Sequence, residues 1–559
     1  MSDKVHSKLE NIIYEILENK SKRIMVLMIT ALLFIVSVYL IPLEIVKAKM
    51  LPGKDSDTFS IYVDLPEGSS VLQTKEVTHC ISKELQKEDV VTSISVFLAE
   101  GLPLDFAGMV KGSAFKSSEN VSEIMVNIKR ANQREEQSYN LVHRIRPLIQ
   151  TQCAIHNANI KFIELPAGPP VLSDVVAEVY GGESFESRLS FSKKLAEVFK
   201  KQKTLVDVDV LADEPYVKYS LLLNNNKVLR SEVSLEQVKK ILYLAFEGMD
   251  IGVVNEADAQ NQIPIFLRLD DSRLFDEFSK SDVMSKLSNL KLMNKRGMMI
   301  PLSEFVMIKE ELQEPTLTSK NLNPMINVIA QTDMDSQIYP LLDSRNFILE
   351  NFVDNYEVSK TDMLNLSLKD KSTGEVFDIK FDGELKVTID TFIELGGAFI
   401  GALVLIFLLM VVYYKNFVLA GAIVLASFIS IIGVIFGHLV MDIITENTFY
   451  LTATSLIGFI ALIGINSRNS LLIIDFAKQL MFEKSMSASK AIAIATATRA
   501  KPILLTVLAI VFASSLLASD AVFGGLGVAL IGGTLIAYFV SLFFVPVSIL
   551  KSLQRLEKE

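Results

Sequence analysis

The chain has 559 residues, 50% of them hydrophobic, with a mean hydropathy of +0.36 and a net charge of −10. It is too long for one ordinary soluble domain and too apolar for a soluble globular chain. The acidic balance excludes nucleic acid as the main partner, because phosphate binding needs a basic surface.

The apolar excess lies near the N-terminus and in the last third, and residues 47–390 between them have ordinary globular composition. Residues 1–23, with SKLENIIYEILENKSKR, read as an amphipathic helix along the cytoplasmic membrane surface. Ile24 to Ile41 is uncharged throughout, close to the ~20 residues that a spanning helix needs. It runs on through Pro42 without a small-residue cleavage site, so 24–46 is read as a permanent anchor.

Periodicity then changes. Phe59, Ile61 and Val63 alternate with polar residues as a half-buried strand. Val77, Ile81 and Leu85 recur at helical spacing after Ser69 or Ser70 as N-cap. Strands follow at 90–97, at Ile124–Ile128 and at 159–165, with a helix carrying Leu141, Ile145, Leu148 and Ile149 between the last two. This β-α-β, loop, β-α-β order is the split pattern of a ferredoxin-like subdomain. The stiff run PAGPP at 166–170 marks a boundary. A second round follows, with strands at 175–180, 206–210, 264–269 and 325–331 and a helix at 184–200. Between the strands of the first round, residues 100–120 form a long loop bearing Phe106, Met109 and Phe115. These side chains either touch a hydrophobic substrate or pack on a neighbour. Cys80 and Cys153 both lie in this middle region. Spacing alone does not set a Cα separation, so two unpaired buried thiols are expected, with a disulfide as the alternative.

Five more spans are expected at Phe392–Val412, Phe417–Leu439, 449–476, Pro502–Leu517 and 528–550. The segment SASKAIAIATATRAK before Pro502 reads as a separate interfacial helix. Lys and Arg gather before the first span, between the second and third, between the fourth and fifth, and after the last. The opposite connections carry Asp442 and Glu446, or Asp520. Both termini are therefore expected in the cytoplasm, and 47–390 outside. With no Trp in the chain, Tyr413, Tyr414 and Tyr450 are the candidate interfacial anchors. His438 is expected at the surface.

The fourth span holds Asn466, Ser467, Arg468, Asn469 and Ser470 in a row. Arg468 lies ten residues before Lys478, about 15 Å along a helix and well inside the bilayer core. An arginine there costs roughly 2.5–3.5 kcal/mol on insertion scales and calls for a partner. Asp475 is the nearest acid and is expected to pair with Lys478. No other span carries an acid at mid-depth, and arginine does not change protonation. A proton relay built on Arg468 therefore requires a carboxylate from elsewhere. No phosphate-binding G-x-x-x-x-G-K-[ST] loop, hydrolase constellation or metal-ligand cluster is present in the sequence. No cofactor is expected.

The run GFIALIGINSRNSLLIIDFAKQL, then RAKPILLT, GG at 532–533 and FFVP at 543–546, resembles the C-terminal half of resistance–nodulation–cell division (RND) efflux permeases of the acriflavine-resistance type. MLPGKDSDTFSIYVDLPEGSS, LDFAGMV and LPAGPPVLSDVVAEVYGG are similar to its porter stretches. The resemblance implies a six-helix, one-plus-five membrane bundle (24–46 and 391–551) with a periplasmic α+β porter region and a cytoplasmic tail at 552–559. It makes 47–169 the first porter subdomain, 170–220 with 316–390 the second, and 221–315 a docking insertion. It implies proton antiport in the bacterial inner membrane, exporting hydrophobic or amphiphilic compounds. The implied partners are membrane lipid, a trimeric assembly, a periplasmic adaptor and an outer-membrane channel. Arg468, with Asn466 and Asn469, falls at the basic part of the family's relay, and Phe106, Met109 and Phe115 on its substrate loop. The carboxylates of that relay belong to the family's other half, so a separately encoded N-terminal half is the expected partner. The alternatives are a self-associating half-size transporter, an inactive remnant, and a protein-translocation accessory of the SecD/SecF type.

Overall fold

Alternating strands and amphipathic helices build the middle of the chain, and among the described residues six helices long and apolar enough to cross a membrane flank it. The computed structural model describes residues 3–103, 106–165, 167–168, 170–259, 262–269, 279–445 and 448–558. Of the residues singled out above, Leu104, Asp105, Pro166, Pro169 and Glu446 lie outside them.

Helix α1 (Asp3–Glu18) buries Ile13 and Leu17 in the core of the C-terminal helix bundle. Helix α2 (Lys20–Tyr39) follows, capped by Asn19, whose side chain accepts from the Ser21 amide. In the next unit β1 (Thr58–Asp64), α3 (Val71–Leu85), β2 (Val91–Glu100), α4 (Phe106–Lys111), β3 (Ser117–Ile128), α5 (Ser138–Cys153) and β4 (Asn159–Glu164) form an antiparallel sheet in the order β2-β3-β1-β4. Phe59, Ile61 and Val63 point to one face, where Val77, Ile81 and Leu85 of α3 and Leu141, Ile145 and Ile149 of α5 close the core. Leu148 is exposed instead. Ser70 and Gln73 form a capping box that starts α3: the Gln73 amide donates to Ser70 Oγ and the Ser70 amide to Gln73 Oε1.

Cys80 and Cys153 form a disulfide, contrary to the unpaired thiols expected above. The reason is tertiary. Helices α3 and α5 lie together against one face of the sheet, which brings the two Cα atoms to 5.6 Å.

The second unit is a seven-stranded sheet. It contains β5 (Val175–Gly181) and β6 (Leu205–Leu211), then, beyond an insertion, β13 (Thr318–Lys320), β14 (Asn323–Thr332), β15 (Tyr356–Lys360), β16 (Leu366–Asp370) and β17 (Val376–Asp382). Helices α6 (Phe185–Lys200) and α10 (Ile338–Asn351) cover it, with Phe191 stacked on Phe377 at 4.4 Å. The insertion is closed by β7 (Val217–Leu223) pairing with β12 (Val306–Leu312). Within it lie α7 (Asn225–Arg230), α8 (Leu235–Phe246), a hairpin of β8 (Met249–Val254) and β9 (Ile263–Leu267), α9 (Lys280–Asn289), and the short pair β10 (Lys291–Met293) and β11 (Met299–Pro301).

A junction near Ala48 and Leu451 ties the β-rich region to the helices. Ala48 bridges Leu451 in parallel, Lys47 pairs with Asp335 at 2.8 Å, and the Tyr450 hydroxyl donates to Met334 O. Tyr450 is thus buried in this junction and does not serve as an interfacial anchor.

The bundle comprises α2, α11 (Glu384–Tyr414), the pair α12 (Phe417–Ile429) and α13 (Ile431–Thr445), α14 (Ala453–Lys484), α15 (Ala488–Ala518) and α16 (Gly524–Phe539), which continues through a π-helical turn at Val540–Phe544 into α17 (Val545–Lys558). Helices α13 and α16 touch through glycine: a Cβ on Gly433 would lie 2.1 Å from Gly532 O, and one on Gly532 equally close to Gly433 O. The expected interfacial helix before Pro502 is not separate. Helix α15 runs unbroken through Pro502, because Ala491, Ala493, Ala495, Ala497 and Ala500 are buried in the bundle. Lys490 and Lys501 are exposed, and they depress the local hydropathy that suggested a break.

The disulfide closes a separation of 73 residues. Replacing Cys80 and Cys153 by Ser is expected to lower the stability of the β1–β4 unit by about 4 kcal/mol on the chain-entropy argument. Thermal melts with and without reductant check this, and the double-serine variant should lose the reductant dependence.

Candidate functional site in the helix bundle

Helix α14 divides into two faces. Asn466, Ser467, Asn469 and Ser470 are buried, whereas Ile457, Ala461, Gly464 and Arg468 form an exposed stripe at spacings of four, three and four residues. A Cβ on Gly464 would meet nothing within 4 Å. Among the described residues Arg468 makes no ion pair.

The three residues expected to act together are therefore split. Asn466 points inward, donating from Nδ2 to Ala426 O at 2.7 Å and accepting from the Ser541 hydroxyl at 3.3 Å. Ser541 belongs to the π-helical turn, a distortion that occurs often at functional sites. Ser467 meets Ser427 at 3.1 Å. The Asn469 Nδ2 and Ser470 Oγ atoms are buried with no hydrogen-bond partner among the described residues. Arg468 lies on the other side of the helix.

Asp475 does not pair with Lys478. It accepts from the hydroxyls of Tyr414 (2.8 Å) and Tyr413 (3.3 Å), while Lys478 Nζ sits 5.3 Å from the centre of the Tyr414 ring. Two adjacent tyrosines ending α11 reach the carboxylate first. His438 is fully buried, not at the surface. Its Nδ1–H donates to Val434 O at 2.8 Å and its Nε2 accepts from the Ser455 hydroxyl at 2.9 Å, so it fastens α13 to α14. An isolated histidine at the end of an apolar run carried no signal of that partner.

In the 100–120 segment Phe106 opens α4, Met109 is exposed, and Phe115 is 70% exposed. Sequence reasoning missed Lys111, whose buried Nζ reaches Leu172 O at 3.4 Å and whose pKa is lowered by that burial. Lys111 lines a cavity of about 260 Å³ between the two sheet units and the junction, together with Arg146, Phe162, Glu164, Asp174 and Tyr450. Burial pushes the Glu164 carboxyl up to about 7, in spite of Arg146 and Lys49 nearby.

Among the described residues, six span-length helices are joined to this β-rich region. The chain belongs to the AcrB/AcrD/AcrF family, whose model matches residues 1–550. The toluene efflux pump membrane transporter TtgB of Pseudomonas putida is 23% identical over 529 residues, covering 91% of this chain and 45% of that protein. The multidrug export protein AcrF of Escherichia coli is 28% identical over 149 residues, covering 26% and 14%. A crystal structure of a heavy metal efflux pump superimposes with a TM-score of 0.70 at 16% identity, covering all of this chain and 53% of that one. The chain spans about half the length of the transporter TtgB and of the solved pump. The protein-translocation alternative finds no support in these matches.

Glu164 gives a pH prediction. Its folded pKa is raised, so the stability it contributes as a neutral acid is complete below about pH 4.5, the unfolded value, and is lost as pH rises through about 7. Glu164→Gln should flatten the fall in melting temperature across that window, as read by melts at stepped pH.

Proposed function

We propose that this chain is the arginine-bearing half of a proton-driven RND efflux transporter, completed by a separately encoded half that supplies the relay carboxylates. The observation that carries this reading is the outward stripe on α14. A charged side chain at bilayer depth faces protein or water rather than lipid. Here it sits on a face of small residues, Ala461 and Gly464, that lets another helix approach closely. A second copy of this chain in the same orientation would place its own Arg468 at the same depth, like charge against like, which disfavours self-association through this face.

The rest of the reading follows the family. The β1–β4 unit is a ferredoxin-like porter subdomain, the seven-stranded sheet is the second, and the β7–β12 insertion is the docking part of a trimer. One helix precedes this region and five follow it. The disulfide favours an oxidising, periplasmic setting for it, and the Lys and Arg distribution favours cytoplasmic termini. The cargo is a hydrophobic or amphiphilic compound, passed along the segment of Met109 and Phe115 toward a periplasmic adaptor and an outer-membrane channel. A proton gradient drives it without a cofactor.

With the carboxylate-bearing half co-expressed, Arg468→Ala should reduce efflux of a fluorescent amphiphile to the level of cells lacking the pump, with unchanged membrane insertion. Arg468→Lys, which keeps the charge, should retain transport. Undiminished efflux in Arg468→Ala would remove the relay role.

A further inference from the structure

The ends of α11 and α14 away from the β-rich region hold charges that the transport reading does not use. Helix α14 begins at Ala453, beside the junction, and Asp475 lies about 33 Å further along it. That length matches a hydrocarbon core of ~30 Å and sets the carboxylate at the far headgroup boundary. Lys415 and Lys478, on the two helices, stand at the same level.

Tyr413 and Tyr414 close α11, ahead of Lys415, whose left-handed backbone (φ +50°) caps the helix. Their rings meet edge to face, with centroids 4.9 Å apart and planes at 88°. Both hydroxyls converge on one carboxylate. Tyr414 donates to Asp475 Oδ1 at 2.8 Å and Tyr413 to Oδ2 at 3.3 Å. An ionised carboxylate has about four acceptor sites, so each oxygen keeps room for another donor. Tyr414 is buried, whereas Tyr413 is 61% exposed and leaves its ring open beside the acid. Lys478 Nζ rests 5.3 Å from the Tyr414 ring centre. Among the described residues neither Asp475 nor Lys478 makes an ion pair.

The surrounding face separates a lipid from a protein as the missing partner. Leu405, Leu408, Leu409, Val412 and Phe417 are all exposed near the tyrosines. Helices that pack on one another in a bilayer do so through small residues, as on the Gly464 stripe. A face of large aliphatic side chains suits acyl chains instead.

We propose that Asp475, Tyr413 and Lys478 form a headgroup site for a zwitterionic phospholipid with a primary ammonium, of the phosphatidylethanolamine type, in the leaflet away from the β-rich region. The ammonium donates to Asp475 and lies against the Tyr413 ring, where the π face attracts a cation. The phosphate meets Lys478. One acid beside one base complements the ammonium and phosphate of a neutral headgroup. An anionic phospholipid without a nitrogen would leave Asp475 without a cation. A quaternary ammonium has no N–H for the free acceptor sites, and two rings do not enclose it.

The test titrates the full chain in detergent with dioleoyl phosphatidylethanolamine and reads bound lipid by native mass spectrometry. This lipid should bind at least about tenfold more tightly than dioleoyl phosphatidylcholine, which differs only in its methylated nitrogen. Asp475→Asn should abolish the difference. Tyr413→Leu, at an exposed position, should reduce it and reports independently if Asp475→Asn fails to fold. Asp520→Asn alters a carboxylate that caps the Val522 and Phe523 amides at the other end of the bundle and should keep the difference. Equal binding of the two lipids by the parent would overturn the site, as would a preference undiminished in both variants or lost equally in Asp520→Asn. Displacement by soluble glycerophosphoethanolamine at the lipid's own concentration would overturn the lipid as ligand. Cys80 and Cys153 are paired, so Val412→Cys places a single free thiol beside the site. It should react with a lipid-soluble maleimide in membranes, and protection there would show a protein covering this face and overturn the proposal.

Discussion

A guanidinium midway along a 32-residue membrane helix is the constraint on which the rest of this molecule turns. Arginine keeps its proton, so the usual escape of a buried ionisable group is closed to it. It must meet water or an acid. The inward face of α14 offers neither, because it is filled by neutral amides and hydroxyls bonded to α12 and to the π-helical turn. The nearest acid of the helix, Asp475, is held by two tyrosines. The charge is left on the outward stripe, and the function proposed above is the chemistry that this placement calls for.

The bundle holds α14 so that the stripe stays outward. His438 and Ser455 join α13 to α14 near one end, and Asn466 ties α14 to α12 at mid-length. The glycine contact between α13 and α16 brings those helices together behind it. These are close-packing and hydrogen-bond devices, suited to a bilayer where burial of apolar surface does not drive helices together. In the β-rich region the order of importance is reversed, because apolar cores build each unit.

Much of this was legible in the residues. Period-two alternation at Phe59, Ile61 and Val63, and helical spacing at Val77, Ile81 and Leu85, are one-dimensional signals that survive because each element buries one face. The depth of Arg468 follows from counting along a helix. The direction in which it points, and its separation from Asn466 and Asn469, depend on which face the other helices cover. The same holds for Cys80 with Cys153, His438 with Ser455, and Asp475 with its tyrosines. Each pair is set by packing between elements, and spacing in the chain does not encode it. The continuity of helix α15 was missed for another reason: an average over charged and small residues hides an alanine face that packs well.

The central claim is that the α14 stripe meets a carboxylate-bearing helix of another chain, and Gly464 is the place to measure it. A cysteine at Gly464 should crosslink, in membranes, to a cysteine at the matching depth of that helix. It should also be shielded from lipid-soluble thiol reagents when the partner is present. Free reaction with those reagents and no crosslink in the presence of the partner would contradict the account.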